Sequence, residues 1–320
     1  MSKVAVVAVG GNSLIKDGKH QSISDQYVAA YETALHVADM IEMGYNVVLT
    51  HGNGPQVGFI LLRSELSRGQ LHDVPLDYCG ADTQGAIGYM FQMALHNIFL
   101  KRGINKIAAT VVTQVVVDPK DPAFQKPSKP IGPFYKEEEA KEREKADGWS
   151  VVEDSGRGWR RVVASPIPKE IVEEEAIKSL IAKGFIVIAV GGGGIPVVKH
   201  DDGTLKGTAA VIDKDFASSL LASNIKADVF VISTAVEKVC LNFGKPDQKE
   251  LDKMTLADCK KFVEEGHFKP GSMLPKIKAI ISFLEKGGEK AIITNPENLK
   301  KALEGKTGTH ITKDAVLSQV

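Results

Sequence analysis

The 320-residue chain has little cysteine, few aromatic residues and no net charge. Its three thiols, Cys79, Cys240 and Cys259, are odd in number and widely spaced, with no C-x-x-C pair. That pattern excludes a disulfide framework and offers no zinc site; buried or incidental thiols in a reducing cytosol are expected. The eight histidines contain no H-x-x-x-H pair, so a histidine-based metal centre has no support. Forty Lys and Arg residues balance forty Asp and Glu residues. A balanced total excludes the uniformly basic face of a nucleic-acid or anionic-lipid binder, while allowing a small local cluster of one sign. No apolar run approaches the roughly 18 residues that cross a bilayer. The first run, Val4–Val9, is too short for a secretory signal and ends in Gly10-Gly11, so a cytoplasmic protein with no membrane partner is expected.

What the chain does hold is aliphatic. Apolar residues make up 43% of it, enough for a large core, and 30 glycines and 14 prolines punctuate it. Val4–Val9 stops at glycine and is followed by an amphipathic stretch over 24–43. The run 46–50 empties into His51-Gly52-Asn53-Gly54-Pro55. Helical patterns over 56–68 and 82–101 precede the β-branched run 107–117. Later come a helix over 169–182, a strand over 185–190, the strand Val229–Ser233, a helix over 272–285 and the strand Lys290–Thr294. Continuous Val/Ile runs between helices are strands of a parallel sheet covered on both faces. The expectation is α/β: a three-layer α-β-α sandwich with a mainly parallel central sheet, one domain over 1–320.

Residues 118–168 differ in character. They hold seven of the 14 prolines, both tryptophans and the charge run 136–147. Proline at that density breaks regular helix and central strand, and so long a stretch inside a compact domain forms a small structure of its own. A protruding inserted subdomain or lid is expected, with the charge run as a solvated helical face.

Three glycine-rich turns directly follow expected strands: Gly10-Gly11-Asn12, Gly52-Asn53-Gly54 and Gly191-Gly192-Gly193-Gly194. In a parallel sheet they lie at the carboxyl ends of strands, where ligands bind. Glycine lets backbone N–H groups approach an anion, and the following helix presents its positive end. One such turn is ordinary tight packing; three point to phosphate or another small oxyanion. The usual phosphate motifs are missing. No G-x-G-x-x-G follows the first strand, no G-x-S-x-G elbow is present, and Gly305-Lys306-Thr307 has Lys300 where a P-loop needs glycine.

Three lysines stand in constrained turns or helix starts: Lys129 in Pro127-Ser128-Lys129-Pro130, Lys214 in Asp213-Lys214-Asp215, and Lys276 after Pro275. Most lysines are solvated surface groups, the plain alternative for each. Pro275 suits a first helical turn. Asp213 and Asp215 either hold Lys214 by charge or cap the next helix, and both readings stay open.

These motifs continue with Gln84-Gly85-Ala86-Ile87-Gly88-Tyr89, Thr113-Gln114-Val115-Val116-Val117-Asp118-Pro119, Gly156-Arg157-Gly158-Trp159-Arg160 and Asn242-Phe243-Gly244-Lys245-Pro246. In them, along nearly its whole length, the sequence resembles the carbamate kinases of the amino acid kinase family. The insert with Lys129 sets it apart from relatives acting on acetylglutamate, aspartate or UMP. The resemblance implies reversible transfer, ATP plus carbamate giving ADP plus carbamoyl phosphate, with Mg2+ carried by the nucleotide. It implies a homodimer that makes ATP at the end of arginine or ureido-compound breakdown. It also implies roles: Lys129, Lys214, Lys276 and Asp213 are catalytic, with Lys129 swinging in from the insert. Gly10, Gly11, Asn12, Gly52, Asn53 and Gly54 hold the carbamate or the transferred phosphoryl group. Nucleotide falls to Lys214, Thr234, Ala235, Val236, Phe243, Gly271, Ser272, Met273 and Lys276. The chain departs from the family pattern at Gly207-Thr208-Ala209-Ala210, Ala164, Ser13 and Glu237, none of which removes a charged catalytic group. Two alternatives accompany this reading: a related kinase for another small carboxylate, and a silent nucleotide- or metabolite-sensing homologue.

Overall fold

The computed structural model describes residues 3–10, 14, 15, 17, 19–154 and 156–314. Gly11, Asn12 and Ser13 therefore lie outside the described residues. The N-terminal part runs β1 (Val4–Val9), α1 (Ile23–Glu42), β2 (Asn46–His51), α2 (Gly54–Leu66), α3 (Leu76–Arg102), β3 (Ala108–Thr110) and β4 (Gln114–Val117). Next come β5 (Lys129–Tyr135), α4 (Glu137–Asp147), β6 (Ser150–Glu153), β7 (Trp159–Val163) and β8 (Pro168–Ile171). The chain continues through α5 (Glu174–Ala182), β9 (Ile186–Ile188), β10 (Ile195–Lys199), β11 (Leu205–Gly207), α6 (Lys214–Asn224) and β12 (Val229–Ser233). It finishes with β13 (Val239–Leu241), β14 (Lys249–Leu251), β15 (Lys253–Thr255), α7 (Leu256–Glu264), α8 (Met273–Glu285), β16 (Lys290–Thr294), α9 (Leu299–Leu303) and β17 (Thr309–Thr312).

The expected α/β sandwich is borne out. Eight strands form one sheet in the order β15-β17-β16-β12-β1-β2-β9-β3, antiparallel only where β16 meets β17. Because strand side chains alternate, the sheet feeds two cores. Val6, Ala8, Val48, Phe230 and Ile293 pack with Leu220 of α6 and Ile280 and Phe283 of α8. Val7, Leu49, Val231 and Ile292 pack on the other face with Val37 of α1 and Phe91 and Leu95 of α3. Among the described residues no helix is long and apolar enough to cross a membrane.

Several boundaries differ from expectation for local reasons. The run 107–117 is two strands in two sheets: β3 ends the large sheet, while β4 joins a four-stranded sheet in the order β11-β10-β4-β8. The helix expected over 169–182 starts only at Glu174, because Pro168–Ile171 pairs with β4 as β8. The first helix is capped by Ser22 in a reciprocal box with Asp25, ahead of the expected start at 24. α3 starts six residues earlier than its pattern suggested, directly after the extended Pro75.

The proline-rich stretch contains a three-stranded antiparallel sheet, β5-β7-β6, with α4 packed on it around Ala140, Trp149 and Val151. Pro130 and Pro133 are tolerated because β5 is an edge strand. At one point β5 meets α2 main chain to main chain: a Cβ on Gly58 would fall 2.1 Å from Gly132 Cα. Nearby, Glu65 Oε1 of α2 accepts from Arg161 Nη1 at 2.6 Å and from Trp149 Nε1 at 3.3 Å.

Candidate active site

Parallel pairing sets the site at one edge of the large sheet. Val9 is in register with both Ser233 and His51, so Gly10, Gly52 and Thr234 emerge side by side at the carboxyl ends of β1, β2 and β12. Helix α6 starts beneath this edge. Its N-cap is Asp213, whose Oδ1 accepts from Asp215 N at 2.9 Å while Oδ2 takes Lys129 Nζ at 2.5 Å. The cap reading of Asp213 is thus realised, while its charge goes to Lys129 and it is Asp215 that holds Lys214. Asp215 is 3% exposed and lies between two lysines, with Oδ1 2.6 Å from Lys214 Nζ and Oδ2 3.0 Å from Lys276 Nζ. Three ammonium groups therefore share two carboxylates, leaving one positive charge in excess.

The electrostatics follow from burial and contact. Burial alone works to raise the Asp215 pKa, but the charges of Lys214 and Lys276 override it and hold the carboxyl well below its usual range. Burial pushes Lys214 down, against the pull of Asp215, and Lys276 adds to the depression. For Lys276 burial also works downward, yet Asp215 and Asp213 outweigh it and the ammonium is held above its ordinary value. One carboxylate thus acts on both close ammonium groups against the pull of burial.

The other side of the site is neutral and made of turns. Asn53 occupies the N-cap position of α2 without capping it; its Nδ2 donates instead to Thr83 Oγ1 of α3 at 2.8 Å. Beyond β9 the chain turns sharply through 191–194. Val190 takes a left-handed conformation, φ 53° and ψ 33°, an outlier for a β-branched residue. Its N–H donates to Thr113 Oγ1 at 3.0 Å. Gly192 must be glycine: φ is +66° and a Cβ would fall 2.2 Å from Asn53 Nδ2. Gly193 abuts Ile212, just before Asp213, with a Cβ position 2.4 Å from that carbonyl oxygen. His51 is fully buried at the end of β2; burial lowers its pKa to about 4, against a hydrogen bond to Gly52 O, and the Lys214 charge adds to the fall.

Of the residues expected to act, Lys129, Asp213, Lys214 and Lys276 are brought into one cluster. Gly10, Gly52, Asn53 and Gly54 line the adjoining turns, and Gly54 lies close to Pro130 O of the insert. Gly11 and Asn12 fall outside the described residues. The expected nucleotide residues occupy three neighbouring segments. Thr234, Ala235 and Val236 follow β12; Phe243 lies on the β13–β14 hairpin, with Lys269 Nζ 5.9 Å from its ring; Gly271, Ser272 and Met273 lead into α8 and Lys276. His267 Nδ1, 3.1 Å from Asn242 Oδ1, ties the hairpin to the approach of α8. The departures at Ala164 and Gly207-Thr208-Ala209-Ala210 adjoin one another. Val211 N donates to Ala164 O at 2.9 Å, and Ala164 and Ala209 line a cavity of about 420 Å³ between insert and body. Glu237 accepts from Thr307 Oγ1. Sequence reasoning weighed Asp215 as a partner of Lys214 but not of Lys276; it quoted His51, Gln84 and Thr113 only within motifs, without a role, and passed over Thr83. Polar uncharged residues in otherwise apolar helical or strand patterns were the signal for the last four.

A buried lysine and a half-buried one on one carboxylate, beside glycine turns at the carboxyl edge of a parallel sheet, make a site for handling phosphoryl groups. The sequence profile described as the amino acid kinase family matches residues 3–295. The chain belongs to that family. It is 52% identical over 316 residues to a carbamate kinase of Thermococcus kodakarensis, covering 98% of this chain and 100% of that one. It is 55% identical, with the same coverage, to the carbamate kinase-like protein YahI of Escherichia coli. Among solved structures, carbamate kinase from Giardia lamblia bound to AMP-PNP superposes with a TM-score of 0.90 at 43% identity, over 98% of this chain and 99% of that one.

Proposed function

We propose that the chain is a carbamate kinase, a phosphotransferase moving a phosphoryl group reversibly between ATP and carbamate. The observation that carries this reading is the Lys129–Asp213 and Lys214–Asp215–Lys276 cluster, one positive charge in excess, in a chain half identical to carbamate kinases over its full length. Phosphoryl transfer demands in-line positioning and neutralisation of the charge spread over the moving oxygens. Lys214 and Lys276 are compact point charges for that task, and Asp215 holds both in place. Lys129 exchanges Asp213 for a substrate phosphate oxygen, so residues 118–168 act as a lid over the transferring group. Gly10, Gly11, Asn12, Gly52, Asn53 and Gly54 hold the acceptor end, and the segments around Thr234, Phe243 and Gly271 hold the nucleotide.

Both carboxylates of the cluster are engaged by lysines, and among the described residues no group of three His, Cys, Asp or Glu side chains is placed to hold a metal ion. Such a donor set suits Mg2+ carried by the nucleotide's own oxygens, with Asp213 orienting the charged nucleotide. When bound, the ion supplies further neutralisation of phosphate charge. We also propose a cytoplasmic homodimer working towards ATP in arginine or ureido-compound breakdown. Exposed Tyr89 and Leu100 on α3, Ile107 and the open edge strand β3 form one side suited to a second copy. Light scattering at the monomer mass would remove the dimer. The main test is direct: purified protein given ADP, Mg2+ and carbamoyl phosphate makes ATP. No ATP across a range of pH and metal defeats the proposal.

A further inference from the structure

The adjacent residues Thr83 and Gln84 of α3 touch both glycine turns, yet nothing in the proposed chemistry uses them. Both are 1% exposed. Thr83 Oγ1 accepts from Asn53 Nδ2 at 2.8 Å and donates to Gly80 O at 2.6 Å. Gln84 Oε1 accepts from Thr113 N at 2.8 Å, while Nε2 donates to Thr113 O at 3.1 Å and to Gly191 O at 2.9 Å. The Gln84 amide thus pairs with the Thr113 backbone like a neighbouring strand, and its remaining hydrogen seizes the turn after β9. Thr113 in turn holds the strained Val190 N–H.

Two features show that this arrangement constrains position. Asn53 forgoes the helix cap its position offers, a bond worth about 1 kcal/mol, to reach Thr83. The two turns then meet where Gly192 packs on the Asn53 amide, so an error in one displaces the other. We infer that Thr83 and Gln84 are positioning residues that fix the spacing of the Asn53 and Gly191 turns, and so set affinity for the carbamate end of the reaction and not for nucleotide. The inference rests on the proposed reading of these turns as the acceptor-holding side.

The experiment compares KM for carbamoyl phosphate with KM for ADP in the ATP-forming direction. Thr83→Val removes the acceptor for Asn53 at constant shape. It should raise KM for carbamoyl phosphate by about tenfold, the cost of one buried donor left unpaired, with KM for ADP within about twofold. Thr83→Ser, which keeps the oxygen, should restore the wild-type value. Should the valine variant not fold, Thr83→Ala removes the same acceptor without added bulk and gives the same readout. A parallel rise in both KM values, no rise in either, or no rescue by serine overturns the inference alone. Absence of turnover by the unaltered protein overturns the functional reading and this inference with it.

Discussion

On the α6–α8 side of the cleft every acting group is charged and tied to a counter-charge; on the glycine-turn side they are neutral. The lysines are long; Lys129 can turn from Asp213 to a phosphate oxygen, while Asp215 keeps hold of Lys214 and Lys276. The turns are held by short, rotamer-poor or doubly bonded side chains, Thr83, Gln84 and Thr113, that leave little room to move. One half is built to respond to an arriving anion. The other is set in advance, which is where orientation of a small acceptor must come from.

Removing one charge is the strongest way to break the first half. Lys276→Ala, and separately Lys129→Ala, should lower kcat by roughly 10²–10³-fold, the size expected for a group that stabilises developing charge. Steady-state ATP synthesis measures it, and a near-normal rate takes that lysine out of the mechanism. The second half is sharpened by pH. The buried His51 titrates near 4, against 6.5 for an ordinary imidazole. Between those values the unfolded chain binds a proton that the folded one refuses, so stability falls as pH drops from 6.5 towards 4 and levels below. The span corresponds to on the order of 3 kcal/mol. Urea unfolding of His51→Gln should lose that part of the slope; equal slopes in both proteins would mean the ring does not stay neutral. The smallest effect lies outside both halves. Arg68 pairs with Asp147 of the insert at 3.4 Å on an exposed surface, where such pairs contribute little. Arg68→Ala should leave turnover and the urea midpoint unchanged, and a clear loss of activity would extend the charged half across the insert.

Much of this was legible in the sequence because turn chemistry is local. Glycines after Val/Ile runs announce strand ends, and Pro275 announces the start of the helix that carries Lys276. The pairing of Asp215 with two lysines was not legible, since Lys276 is 61 residues away and only the packing of α8 on α6 brings it in. β8 was read as helix because Lys169 and Glu170 carry no strand signal of their own; its partner β4 lies some fifty residues earlier. Thr83 and Gln84 stand in a helical pattern whose neighbours Ile87 and Phe91 are core, so they were taken with the helix and not with the site. Asp213 was ambiguous between cap and charge because one side chain does both.

The bare contact of Gly58 with Gly132 sets the closest approach of the insert to α2 by main-chain shape. Lys129 lies three residues from Gly132 on the same edge strand, so the height of that strand above α2 also sets how far the lysine reaches towards Asp213. A single methyl group at position 58 would act as a shim under β5, lifting a charge it never touches. The reach of the phosphate clamp is thus written into the absence of two side chains.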